Sequence, residues 1–336
     1  MTGRATVGVA VIGTGFGARV VAPAYSATDG MEVVAVVSAR DERAIAAAVA
    51  DPRVDLVSVH SPPFLHSRHV GIALDAGRSV LCDKPFTLSA EVSRHLVAEA
   101  RQAPGVHLVN FEFRFDPLRR RTRELVQAGA LGTIEHVAWT HISAGSRHPL
   151  RPYGWLFDRA RGGGWIGAWA SHAIDTLRFS LGEIGTVVHA MPRQAVTHRP
   201  DPDNPDGPWR PCTAEDGLGA LLTMHGGASV TIDSTFAAST TLPPRITIVG
   251  SDATLENVGD RRLTVRDASG ARDDLEMTAI DARDHHAAPM HAFAAAARDA
   301  VRNGEIPDGV PTFADGLACD EILDILRAPP LTVTEP

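Results

Sequence analysis

The feature that most constrains this chain lies near its start. The apolar run VGVAVI (Val7–Ile12) enters GTGFGA (Gly13–Ala18), and a helical segment follows to about Ala27. A short, nearly continuous apolar run is the pattern of a strand buried on both faces of a parallel sheet. Glycines at this spacing, after such a strand and before a helix, form a dinucleotide-binding fingerprint. Gly13 permits the tight turn and Gly15 lets the backbone approach a pyrophosphate. Ala18 is expected to allow close packing of the helix, whose N-terminus faces the phosphates. Thr14, Phe16 and Gly17 complete the loop.

The same grammar continues. MEVVAVV (31–37), VDLVSVH (54–60), RSVLC (78–82) and VHLVN (106–110) read as strands separated by helical segments, one of them closed by Gly77. This alternation implies a Rossmann-type, doubly wound parallel sheet over residues 1–116. Residues 41–53 are all that separate Arg40 from Val54, room for one crossover helix, so the sheet is expected to be one strand-helix unit short at an edge. After Asp116 the pattern changes to strand-like runs with few helices, as in an α+β domain with a large, mostly antiparallel open sheet over 117–336. His225–Ala228 marks a hairpin, His198–Pro211 a long exposed loop, and two helices at about 285–327 are assigned to this second domain near the junction.

At 336 residues the chain can bury two cores. A net charge of -8 argues against nucleic acid or an anionic membrane as partner, and the run Arg119–Arg123 reads as a solvated helix face. Cys82, Cys212 and Cys319 are far apart and suggest neither disulfides nor structural zinc. No apolar run is long enough to span a membrane, and the apolar N-terminal stretch carries nucleotide-loop glycines without a twin arginine. The expected location is cytoplasmic.

Cofactor choice is read at the end of the second strand, where a carboxylate would bind a ribose hydroxyl and repel a 2'-phosphate. Here stand Ser38, Arg40 and Arg43, which suit a phosphate and favour NADP(H) over NAD(H). Asp41 offers either a ribose contact or an acidic first-turn residue for the next helix.

Lys84 ends a strand at the side where open α/β sheets bind ligands, and Pro85 keeps it extended. An ammonium there can donate to a substrate oxygen and stabilise charge developing on it. In GGGWIGAWASHAID (162–175), His172 and Asp175 lie three residues apart on one helix face. A positioned histidine is the commonest general acid or base. Trp165 and Trp169 read either as core or as a face for a sugar ring. His60, His66 and His69 lack the carboxylate or cysteine companions of a metal site, and His285, His286 and His291 carry no assignment.

Taken in order, GTGFGA, SPPFLH (61–66), DKP (83–85), NFEFRFDP (110–117) and GGGWIGAWASHAID resemble the motifs of the glucose-fructose oxidoreductase/inositol dehydrogenase (Gfo/Idh/MocA) family along nearly the whole chain. The resemblance implies that Lys84 hydrogen-bonds a reacting hydroxyl and His172 moves its proton during hydride transfer. It implies that Ser61, Pro62 and His66 line the nicotinamide side, that Arg114, Trp169 and Asp175 contact substrate, and that the protein is a homodimer or homotetramer through the second-domain sheet. Two departures stand out: Asp83 replaces the family glutamate, and Ala168 replaces the aspartate that assists the histidine. The expected activity is alcohol–ketone interconversion on a sugar, cyclitol or related polyhydroxylated molecule. Two alternatives are a nucleotide-binding regulatory protein without turnover and a redox-neutral enzyme that cleaves glycosides with borrowed hydride.

Overall fold

The N-terminal apolar run forms β1 (Val7–Ile12), buried at every position. In this computed structural model, residues 6–270, 272–276 and 285–328 are described. After β1 come a π-wound turn (Gly17–Val21) and α1 (Ala22–Ser26), then β2 (Met31–Val37), α2 (Glu42–Ala50), β3 (Leu56–Val59), α3 (His66–Asp75), β4 (Ser79–Cys82), α4 (Ala90–Ala100) and β5 (His107–Val109). The five strands are parallel in the order β2-β1-β3-β4-β5. Since α2 is the one element between β2 and β3, β2 forms the sheet edge. Local signals set the helix limits: Asp41 accepts from Ala44 N at 2.9 Å, Ser89 faces Val92 N at 3.4 Å, and Gly77 ends α3 at φ +67°.

The second unit holds α5 (Pro117–Gln127), β6 (Ile134–Ile142), α6 (Ser171–Leu181), β7 (Ile184–Arg193), a ribbon of β8 (His198–Arg199) and β9 (Arg210–Pro211), β10 (Gly217–Met224), β11 (Ser229–Thr235), β12 (Arg245–Gly250), β13 (Ala253–Val258), β14 (Arg262–Asp267) and β15 (Arg272–Glu276). Its eight-stranded sheet runs β15-β14-β13-β12-β6-β11-β10-β7, antiparallel except where β11 meets β6. Along β11, Val230 and Ile232 are buried while Thr231 and Asp233 are exposed. This alternation marks a sheet covered on one face. Residues of α5, α6 and that face enclose a cavity of about 20 Å³, lined among others by Arg119, Thr176, Trp139 and Ile248.

The closing helices are α7 (Ala287–Asn303) and α8 (Phe313–Arg327). Their placement corrects the sequence expectation, because among the described residues 285–321 group with the first unit and 322–328 with the second. The reason is packing: Met290, Phe293, Ala294 and Ala297 of α7 share one core with Val9, Val11, Tyr25, Leu56 and Leu81. Two further expectations change. Arg119 is buried and donates to Thr176 Oγ1 at 2.8 Å, and Arg123 lies over the Phe179 ring, so the basic run is not simply a solvated face. The segment 198–211 is tied at its base by the β8–β9 ribbon, where fully buried Arg199 donates to Ser146 O at 2.7 Å and stacks over Phe157.

Candidate active site

The glycine loop divides its work by position. Gly13 has φ +132°, and a Cβ there would stand 2.4 Å from His60 O, so both conformation and space require glycine. At Gly15 a Cβ would meet nothing within 4 Å, which leaves the backbone open to a pyrophosphate. Close packing is required at buried Gly17, whose Cβ would lie 2.9 Å from His60 Cβ and 3.0 Å from Val11, beside half-buried Ala18. Thr14 is exposed, and the half-buried Phe16 ring lies against His286, which the sequence left unassigned. His286 Nδ1 in turn meets the buried Glu112 carboxylate at 2.7 Å. These features fit a dinucleotide.

At the end of β2 the acidic side chains are already engaged. Asp41 caps α2, and Glu42 pairs with Arg68 at 2.7 Å. Ser38 Oγ accepts from Arg40 N at 3.3 Å, and the exposed Arg40 and Arg43 guanidinium groups have no ion-pair partner among the described residues.

The turn carrying Lys84 is anchored from beneath. Asp83 Oδ1 accepts from Lys84 N at 2.9 Å and from Asn110 Nδ2 at 3.3 Å, while Oδ2 faces His60 Nδ1 at 3.2 Å. Burial alone would raise the Asp83 carboxyl, but the His60 hydrogen bond and the charges around it hold it at about 2. The chain beyond Pro85 is fastened to α8, with Thr87 N donating to Asp320 Oδ2 at 3.0 Å.

His66, expected to line the cofactor, is buried and faces Ser61 O through Nε2 (2.7 Å) and Phe86 O through Nδ1 (3.0 Å). It therefore ties the loop after β3 to the loop after β4. Ser61 is also held, its Oγ at 2.9 Å from His69 Nδ1, with half-buried Pro62 next to it. Burial pulls His69 down to about 4. Arg114, expected on the substrate, is buried and forms an ion pair with Asp315 at 2.8 Å, which holds the first turn of α8.

In the second unit, one glycine of the GGGWIGAWASHAID motif makes room for a carboxylate that the motif does not contain. A Cβ on Gly164 (φ +108°) would overlap Glu215, whose Oε1 accepts from Ile166 N at 3.0 Å. Buried Glu215 thus meets a helix start, where negative charge is favoured, with Arg327 3.9 Å away. The turn Ile166–Ala170 is π-wound and contains half-buried Ala168. Such wide turns recur at functional positions. His172 and Asp175 follow on α6, both buried. Trp169 belongs to the core: Trp165 stacks on it at 5.9 Å, Trp139 meets it edge-on, and His141 lies against it. Trp165 is itself stacked on Phe236 at 4.4 Å and donates from Nε1 to Ser234 Oγ at 2.7 Å. Glu215 and Ser234 stand too far along the chain for any local pattern to announce them.

Comparison with known proteins agrees with this geometry. Residues 7–111 match the oxidoreductase family with an NAD-binding Rossmann fold, and residues 119–256 match the GFO/IDH/MocA C-terminal domain. The chain belongs to the Gfo/Idh/MocA family. It is 34% identical to an uncharacterised oxidoreductase of Synechocystis sp. over 71% of this chain and 68% of that one. It is 30% identical to D-glucoside 3-dehydrogenase of Escherichia coli over 68% and 70% of the two chains. Levoglucosan dehydrogenase, solved with NADH and levoglucosan, has the same fold, with a TM-score of 0.84 at 21% identity over 96% of both chains. Among the described residues no helix is long and apolar enough to cross a membrane, and no group of three or more metal-ligating side chains is present.

Proposed function

We propose that this family member interconverts an alcohol and a ketone on a sugar, cyclitol or related polyhydroxylated molecule, using NADP(H) in preference to NAD(H). The observation that carries the reading is the anchored Lys84 turn: a lysine just past the C-terminal end of β4, its amide held by the half-buried Asp83 carboxylate, in the sheet that carries the glycine loop. Relatives named as glucoside and levoglucosan dehydrogenases support the substrate class.

The glycine loop, Ser38, Arg40, Arg43 and the Ser61–Pro62 loop would hold the dinucleotide. A bound nicotinamide supplies the hydride acceptor or donor. Lys84 donates to the reacting oxygen and stabilises charge developing there. His172 takes or returns the hydroxyl proton, and Asp175, one turn further along α6, orients a neighbouring group. The preference for NADP(H) is supported by the exposed Arg40 and Arg43, without an ion-pair partner among the described residues, and by the engagement of Asp41 and Glu42 elsewhere. The net charge of -8 speaks against nucleic acid or anionic membrane as partner. Met191 and Leu221, 45% and 37% exposed on the open sheet face, support a homodimer or homotetramer through that sheet.

The test is net reduction of NADP+ or NAD+ across a panel of aldoses, glycosides and cyclitols, with the reverse reaction on the corresponding ketones. Net reduction is expected for at least one class, more readily with NADP+. Ala168 favours a second reading, a nucleotide-binding protein without turnover. Tight dinucleotide binding with no hydride exchange on any substrate would support it. Substrate conversion without net cofactor reduction would point to the redox-neutral glycosidase.

A further inference from the structure

His60 directly follows β3, the strand between β1 and β4 in the sheet, so one residue reaches both the glycine loop and the Lys84 turn. On the β1 side its carbonyl lies under Gly13 and its Cβ under Gly17, and its ring is 6.0 Å from that of Phe16. On the β4 side its imidazole meets Asp83, which accepts the Lys84 amide. The ring itself is wholly enclosed.

With a neutral imidazole these hydrogen bonds run in one direction. Asp83 Oδ2 can only accept, so His60 Nδ1 carries the proton and donates. His60 Nε2 is then bare and accepts from Ser58 Oγ at 2.7 Å. Ser58 Oγ accepts in turn from the Tyr25 hydroxyl at 2.8 Å. Tyr25 is fully buried, and burial pushes its hydroxyl well above the usual phenol range, so it remains a donor. Donors therefore run Tyr25, Ser58, His60 to the carboxylate, and a buried chain satisfied throughout holds its members in one arrangement.

We propose that His60 is a positioning residue that couples the dinucleotide loop to the Lys84 turn: its backbone and Cβ support Gly13 and Gly17, while its imidazole, fixed as the Nδ1–H tautomer by Ser58 and Tyr25, holds the carboxylate under Lys84. This role rests on the oxidoreductase reading given above. It separates His60 from Lys84: the lysine acts on substrate, whereas the histidine sets where the lysine stands. A displacement of about 1 Å at a reacting group can cost about a hundredfold in rate.

The test combines spectroscopy of the ligand-free protein with kinetics. Nitrogen NMR at mildly alkaline pH, with His60 assigned by loss of its signals in His60→Phe, is expected to report the neutral Nδ1–H tautomer. The Nε2–H tautomer would overturn the arrangement. Addition of NADPH is expected to shift the His60 resonances through Phe16 and Gly17, and unchanged resonances at saturation would overturn the coupling. In turnover, His60→Phe keeps the ring volume but lacks the donor, and kcat is expected to fall about tenfold to a hundredfold while dinucleotide Kd changes less than about threefold. His60→Asn places an amide donor near the Nδ1 position and is expected to recover most of that loss. Equal losses in both variants, tracking Tm, would reduce His60 to a structural residue and contradict the proposal. If Lys84→Ala leaves turnover unchanged, the oxidoreductase mechanism has failed, and the tautomer and NADPH-shift results still decide the positioning role.

Discussion

In the N-terminal unit, the groups that shape the nucleotide and lysine sites come mostly from the ends of neighbouring parallel strands and the turns that follow them. Asp41 caps its own helix, Asp83 holds the adjacent Lys84 amide, and the glycines follow β1 directly. In the second unit the corresponding partners arrive from far along the chain: Glu215 reaches Ile166 across 49 positions, Arg119 reaches Thr176 across 57, and Trp165 reaches Ser234 across 69. A parallel sheet collects its strand ends on one side, so short stretches of sequence can build a site there. An antiparallel sheet with a covering helix is completed by whichever strand the topology brings alongside. The first kind of site is open to local substitution of chemistry, whereas the second depends on tertiary packing.

That contrast is testable by substitutions of graded effect. Lys84→Ala is expected to lower kcat by about a hundredfold or more while dinucleotide binding, followed by fluorescence, survives. Loss of binding along with turnover would mean that the local turn is not separable from the loop. The pH dependence of stability probes the loop after β3. His69 is buried and its folded value is pulled from 6.5 to about 4, so between those values the unfolded chain binds the proton that the folded chain refuses. Stability is therefore expected to fall as pH drops through that window, by about 2 to 3 kcal/mol from this residue. Urea denaturation of the native protein and His69→Gln at several pH values measures it, and a slope unaltered by the substitution would refute the assignment.

Glu215→Ala leaves the Ile166 amide without its acceptor and is expected to cost about 1 to 2 kcal/mol, seen as a lower Tm with the NADPH Kd unchanged. A weakened Kd would mean that the long-range partner also supports the nucleotide site. The smallest effect is expected for Arg40→Ala, which is expected to narrow the NADPH-over-NADH preference by about fivefold in calorimetric Kd. Tighter binding of NADH by the native protein would reverse the cofactor assignment.

Legibility in the sequence followed the same division. The run Val7–Ile12, the glycine spacing and the single crossover between Arg40 and Val54 carry the parallel sheet and its edge at β2, because strand burial and turn chemistry are local properties. Lys84 was legible for the same reason. The covered antiparallel sheet was legible as a class, from its runs of strands. His66, Arg114 and Trp169 each have tertiary partners that no local pattern contains: backbone carbonyls of two loops, Asp315 of α8, and an aromatic cluster. The attachment of α7 to the first unit was hidden for a related reason, since its apolar stripe does not say which core receives it.

At Ala168 the local motif and the tertiary site meet. It replaces the carboxylate that in this family's motif assists the histidine, yet Lys84 and His172 both remain. The central claim is that the site is modified and still works, with His172 moving the proton unaided by a carboxylate at that position. The most direct measurement is the pH–rate profile of hydride transfer for the native protein beside His172→Ala and Ala168→Asp, with any substrate the panel supplies. His172→Ala is expected to lose about a hundredfold or more in turnover. Ala168→Asp is expected to move the profile to higher pH, because the added carboxylate favours the protonated imidazole. Turnover and pH dependence unchanged in His172→Ala would contradict the account.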